Sequence, residues 1–132
     1  MKKLTLDTGV VSYRLGSGVL RFNPADPNVY VRFSQATQKL QTAEQEMTRA
    51  LSQKGADVLA VMAQTDKTIK DILGWVFGPG NDFDQMLGGV NLLAVAADGK
   101  RVADQLFAAL EPVLLEGAKV CADRQAQAIA HE

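Results

Sequence analysis

The sequence predicts a mainly α fold of the α+β class: a small N-terminal antiparallel β-meander, a long αα-hairpin, a Gly-rich link with a short helix, and a C-terminal helix. Three observations predict it. Apolar and polar residues alternate through much of residues 3–22. Apolar residues then recur at steps of three and four through 26–77. Glycine, proline, asparagine and aspartate crowd into 78–99.

In the first stretch, Leu4 and Leu6 alternate with Lys3, Thr5 and Asp7, and Asp7-Thr8-Gly9 is a turn signal. Val11, Tyr13 and Leu15 alternate with Ser12 and Arg14. After a loop at Gly16-Ser17-Gly18, Leu20 and Phe22 face inward while Arg21 points out. Two or three strands would share one apolar face. So small a sheet needs a helix or a neighbouring subunit to cover it.

The chain breaks at Asn23-Pro24 and restarts at Asp26-Pro27. The Asp26 carboxylate suits a helix N-cap, where it accepts from an otherwise unpaired backbone N–H. Pro27 suits the first helical position, where its missing N–H costs nothing. Val29, Phe33, Ala36, Leu40, Ala43, Met47 and Ala50 form the first stripe, which ends near Ser52–Gly55. A second helix starts at Ala56 or Asp57 and runs to Phe77, with Val58, Met62, Thr65, Ile69, Ile72 and Val76 in its stripe. Two long helices joined by so few residues should fold back on each other, and Ala36, Ala43 and Ala50 allow a close approach.

Gly78-Pro79-Gly80-Asn81-Asp82 ends that helix. Phe83, Met86 and Leu87 suggest one helical turn closed by Gly88-Gly89. Residues 90–97 are a short apolar run that periodicity leaves open between strand and helical turn, the helical turn being favoured by the neighbouring breakers. The last helix starts near Lys100 or Arg101, with a kink or restart expected at Glu111 because Pro112 removes a backbone bond. Beyond Lys119 the apolar content falls and a frayed tail is expected.

At 132 residues one domain is the simplest division. Its parts are a meander over 1–22, a hairpin over 26–77, a link over 78–99, and the closing helix with its tail over 100–132. Fourteen basic against fifteen acidic residues leave a net charge of -1 with no basic stripe, so nucleic acid is not an expected partner. No apolar run is long enough for a membrane span, and the N-terminal residues do not read as a signal peptide. One cysteine, Cys121, precludes an intrachain disulfide and fits a reducing compartment. A cytoplasmic location is the expectation.

Candidate chemistry is sparse. The single histidine, His131, lies next to the last residue, and Cys121 reads as a buried or half-buried thiol. Without a Cys/His cluster no structural zinc is expected. Phe77-Gly78-Pro79-Gly80 lacks the Gly-Lys-Ser/Thr ending of a phosphate loop. Asn81, Asp82 and Asp84 open like a calcium loop, but Met86, Leu87 and Leu93 stand where a ligand, a glycine and the closing glutamate belong. Glu44 and Glu46 point to different sides of a helix, and Trp75, Phe77, Phe83 and Phe107 are expected in the core. Neither an enzyme nor a cofactor is expected.

Three stretches carry a resemblance. Phe22-Asn23-Pro24-Ala25-Asp26-Pro27, followed by Val29-Tyr30-Val31-Arg32-Phe33, resembles the helix opening of tail assembly chaperones from long-tailed (siphovirus-type) phages and prophages of Gram-positive bacteria. Val76-Phe77-Gly78-Pro79-Gly80 and Leu87-Gly88-Gly89-Val90-Asn91-Leu92 are similar to their glycine link, with Met86-Leu87 where an aromatic is commoner. Leu106–Glu116, with its Leu-Glu-Pro, looks like their closing helix. The resemblance spans roughly residues 19–118 and rests on the order of elements more than on any one motif. It implies a non-enzymatic protein of the host cytoplasm that keeps the helical tape-measure protein soluble and extended until tail-tube subunits replace it. It also implies a second, longer product made by ribosomal frameshifting.

Amphipathic helices with adaptable methionines can receive helical segments in a groove, so Met47, Met62 and Met86 are candidates for the client surface. Val29, Phe33, Ile69, Ile72, Trp75 and Phe83 are candidates for structure or self-association. An open-edged sheet beside long helices also invites a homo-oligomer. Two other readings remain: a structural tail-completion or connector protein, and a small cytoplasmic helical adaptor.

Overall fold

The computed structural model describes residues 1–130. Its elements follow in the order β1 (Val11–Leu15), β2 (Gly18–Phe22), α1 (Pro27–Leu51), α2 (Val58–Phe77), α3 (Phe83–Met86) and α4 (Val102–Ala130). The protein is mainly helical, with a two-stranded antiparallel sheet, a long α1–α2 hairpin and a C-terminal helix.

Of the two or three strands expected, two form. Val11 pairs with Phe22, Tyr13 with Leu20 and Leu15 with Gly18. Leu20 and Phe22 are buried and Arg21 is exposed, as period-two alternation requires. Residues 3–7 form no strand, and Leu4 and Leu6 are 90% and 82% exposed. The turn expected at Asp7–Gly9 does form, with the Gly9 N–H donating to Asp7 Oδ1 at 2.9 Å. Asn23 Nδ2 also donates to the Thr8 carbonyl at 3.0 Å. That bond ties the turn to the end of β2.

Asn23 and Asp26 organise the entry to α1. Asn23 Oδ1 accepts from the Ala25 N–H at 2.9 Å, and its carbonyl accepts from the Asp26 N–H at 3.1 Å. The Asp26 carboxylate caps α1 through Asn28 N–H, with Pro27 in the first turn. Asp57 caps α2 through Ala60 N–H at 3.1 Å, and Asp82 caps α3 through Gln85 N–H at 3.1 Å. Gly78, at φ +96°, ends α2 in a backbone conformation that a side chain would strain.

The core joins every element. Leu20 and Phe22 of the sheet meet Val29 and Ala36 of α1, Ile69, Leu73, Val76 and Phe77 of α2, and Phe83 and Met86 of α3. Leu92 and Leu93 of the link and Leu106, Leu110 and Leu114 of α4 close it. Aromatic rings run through it in series: Tyr13 to Phe22 at 5.2 Å, Phe22 to Phe77 at 4.8 Å, and Phe77 to Phe83 at 5.6 Å between centroids. Gly117 brings α4 against the entry turn; a Cβ there would overlap the Pro24 carbonyl, so only glycine allows this approach.

Four sequence expectations need correction. Residues 90–97 form one hydrogen-bonded turn at Asn91–Ala94 but no helical segment and no strand. The Leu92 N–H goes to Asp66 Oδ1 at 2.7 Å and the Leu93 N–H to Asn91 Oδ1 at 2.8 Å. Side-chain acceptors thus take these two N–H groups, while one backbone turn bond remains, from the Ala94 N–H to the Asn91 carbonyl at 3.0 Å. The only regular pairing there is an isolated bridge between Val95 and Arg101. The second correction is Pro112, which does not restart α4; it and Ala108, whose carbonyl loses its partner, are both exposed, so water can satisfy the free group. Third, the tail beyond Lys119 stays helical to Ala130, with residues 122–130 exposed; His131 lies outside the described residues. Fourth, Trp75 leaves the core: it is 41% exposed, with Lys39 Nζ 3.8 Å from its ring centroid.

Candidate functional site

The seven-residue spacing of Phe33, Leu40 and Met47 keeps them on one line of α1, and all three are half-buried. Phe33 faces α4, where Phe107 lies 6.5 Å away between centroids. One cleft of about 350 Å³ is lined by Phe33, Leu40 and Phe107 with Glu44 and Glu111 among its polar residues. A second, of about 220 Å³, shares Phe33, Thr37 and Glu111 and adds Tyr30, Leu114 and Leu115. Their shared residues make one shallow groove between α1 and α4. Met47 lies further along the same line but opens on a separate cleft of about 360 Å³ between α1 and α2 near the hairpin tip, lined by Ala43, Ala50, Val61 and Thr65 with Glu46 and Asp57.

The line from Phe33 to Met47 covers fourteen residue steps, roughly 21 Å at the usual helical rise of about 1.5 Å per residue. That is room for about four turns of a second helix. The apolar floor and the acidic residues Glu44, Glu46 and Glu111 suit an amphipathic helix whose apolar stripe is flanked by Lys or Arg. Glu44 already approaches Arg101, Nη1 to Oε1 at 3.8 Å, with both side chains largely in water. Such an exposed pair holds little energy and yields easily to another cation.

A polar cluster away from the groove fixes the glycine-rich link to α2. Lys70, its side chain only 5% exposed, donates to Asp66 Oδ2 at 2.8 Å, Asp84 Oδ1 at 2.6 Å and the Val90 carbonyl at 2.8 Å. Burial pulls the Lys70 ammonium towards a lower pKa, but the bonds and charges of Asp66 and Asp84 outweigh it and hold the group above its ordinary 10.5. Asn91 Nδ2 donates to the Met62 carbonyl at 3.2 Å. Asn81 is buried: its Oδ1 accepts from Arg21 N–H at 2.9 Å, and its Nδ2 donates to the carbonyls of Arg21 and Phe77 at 2.8 and 3.0 Å. No buried side-chain nitrogen or oxygen among the described residues lacks a partner, the mark of a structural cluster.

The sequence candidates therefore separate. Phe33 and Met47 line the clefts. Met62 and Ile72 are half-buried against the core. Val29, Ile69, Phe83 and Met86 lie within it, and Trp75 stands exposed away from the groove. Sequence reasoning missed Phe107, Leu114 and Leu115 as groove walls, although Phe107 was expected to be buried. It also missed Asp66 and Lys70, whose spacing of four on a helix was a readable signal. Asp84 as their third partner had none. Among the described residues no group of His, Cys, Asp and Glu is arranged to hold a metal ion, and no helix is long and apolar enough to cross a membrane. Comparison of the chain with protein-family models, with curated proteins and with solved structures gives no match.

Proposed function

We propose that this chain is a phage tail assembly chaperone, a binding protein of the host cytoplasm that holds helical segments of the tape-measure protein until tube subunits displace it. The observation that carries the reading is the half-buried line Phe33–Leu40–Met47 along α1, walled by Phe107, Leu114 and Leu115 of α4 at Phe33 and Leu40 and opening on a separate cleft against α2 at Met47. A helix-in-groove site recognises apolar residues at steps of three and four without reading a sequence closely. That tolerance suits a long client made of many similar helical stretches. The resemblance of the Phe22–Phe33 and Val76–Leu92 segments to such chaperones names the client, which the groove by itself does not.

Co-expression with a phage tape-measure protein whose gene neighbours that of this chain tests the reading, and the absence of such a gene counts against it. A chaperone raises the soluble fraction of that protein, co-purifies with it and is absent from finished particles. An unchanged soluble fraction, or stoichiometric presence of the chain in purified particles, overturns the proposal; the latter would favour a structural tail component. A longer frameshifted product belongs to the same proposal and would appear as a second band sharing the N-terminal peptides.

A further inference from the structure

The two outer edges of the β-hairpin are not alike. On β2, the Arg21 N–H and carbonyl both bond to the Asn81 side chain, so that edge is closed by a single amide. Arg21 thus faces its main chain away from β1, and in an antiparallel ladder its register partner Ser12 must face away from β2. Arg14, two residues on, does the same. The N–H and carbonyl groups of Ser12 and Arg14 make no backbone bond to loops or turns among the described residues. They form a free strand edge.

Beside that edge lies a cleft of about 630 Å³ between the sheet and α4, with Val11, Tyr13, Pro24, Val113 and Val120 among its apolar walls. The same chain carries a strand-like segment with nothing to pair with. Lys3-Leu4-Thr5-Leu6-Asp7 alternates with period two, yet Leu4 and Leu6 are almost fully exposed. The bond from Asn23 to the Thr8 carbonyl fixes the root of this segment at the Val11–Phe22 end of the hairpin, and residues 3–7 themselves pair with neither strand.

We propose that residues 3–7 of one copy add as a strand to the free β1 edge of a second copy of this chain. The complementarity is in the side chains as well as the backbone. With Leu4 and Leu6 turned into the cleft beside Tyr13, alternation puts Lys3, Thr5 and Asp7 on the opposite face, which on the hairpin carries Arg14 and Arg21, so the Asp7 end of the segment must lie nearest the arginines and Lys3 furthest from them. Carboxylate then meets guanidinium on the wet face while leucine fills the apolar cleft on the other. The Asn81 amide blocks the same addition at β2, so only one edge accepts a strand.

Self-association of the full chain, measured alone by sedimentation over a range of concentrations, tests this independently of any client. The native chain associates, and removal of residues 2–6 makes it monomeric with its helical circular-dichroism spectrum kept and a melting temperature that no longer rises with protein concentration, since those residues touch no core. Leu4→Asp with Leu6→Asp keeps the length and weakens association by at least about tenfold, the effect expected from losing buried leucines. Mixing the chain lacking residues 2–6 with a Ser12→Pro chain, which has an intact arm and a blocked edge, restores one heterodimer by native mass spectrometry. A native chain that stays monomeric at every concentration, or one whose association survives removal of residues 2–6, overturns the proposal. Neither result bears on whether the chain solubilises a tape-measure protein.

Discussion

Single residues decide how the link and the entry turn are held. Asn81 satisfies both main-chain groups of Arg21, so Asn81→Ala leaves a part-buried N–H without a partner. Chemical denaturation should show a loss of about 1–3 kcal/mol. Gly117→Ala forces α4 off the Pro24 carbonyl and should cost about 1–3 kcal/mol or more by the same measurement. Lys70→Met leaves Asp66 without its cation; up to about 3–5 kcal/mol is the usual loss when a buried pair is broken, and the exposure of Asp84 places the result at or below the lower end. The pH dependence of that difference has a definite sign. Lys70 binds its proton more tightly in the folded chain than in the unfolded one, so its contribution is complete below 10.5 and falls as pH rises through the higher folded value. Native and Lys70→Met curves should therefore stay apart at neutral pH and draw together as pH rises above 10.5 through the higher folded value.

At the scale of elements, the parts governed by local chemistry were legible. Asp26-Pro27 announces the start of α1, and the steps of three and four in Val29–Ala50 announce its buried face. The failures share a cause: long-range partners outweighed local pattern. Residues 90–97 look helical until Asp66, 26 residues before Leu92, takes the backbone N–H that a helical turn would use. Lys3–Asp7 looks like a third strand, yet it pairs with neither strand, and what ties its root to the hairpin is the bond from Asn23 to the Thr8 carbonyl. Phe33 illustrates a partial success, since its place in the α1 stripe is right but α4 covers only one side of it. Phe33→Ala should thus cost about 1–2 kcal/mol, less than the roughly 3–5 kcal/mol of a fully buried phenylalanine. A loss near the higher figure in thermal or chemical unfolding would mean the groove is closed in solution.

For the whole molecule, the sheet, the link and α4 form one packed base. The first half of α1 lies against it, and the second half extends to the hairpin tip with Met47 in an open cleft. This arrangement leaves a line of half-buried apolar residues that a monomer has no structural need to expose. The order of elements behind the chaperone resemblance was readable from the chain; the groove was not, because Phe33 and Leu40 acquire their walls only when Phe107 and Leu115 arrive from about seventy residues away. Leu115 offers the sharpest probe: it is 53% exposed, so Leu115→Asp should leave the fold intact while placing a charge in the groove wall. The decisive measurement is the affinity of native and Leu115→Asp chains for a labelled amphipathic segment of the tape-measure protein, followed by fluorescence anisotropy. The groove account predicts that the substitution weakens binding at least about tenfold with no change in melting temperature. Equal affinities, or no binding by the native chain, would contradict it.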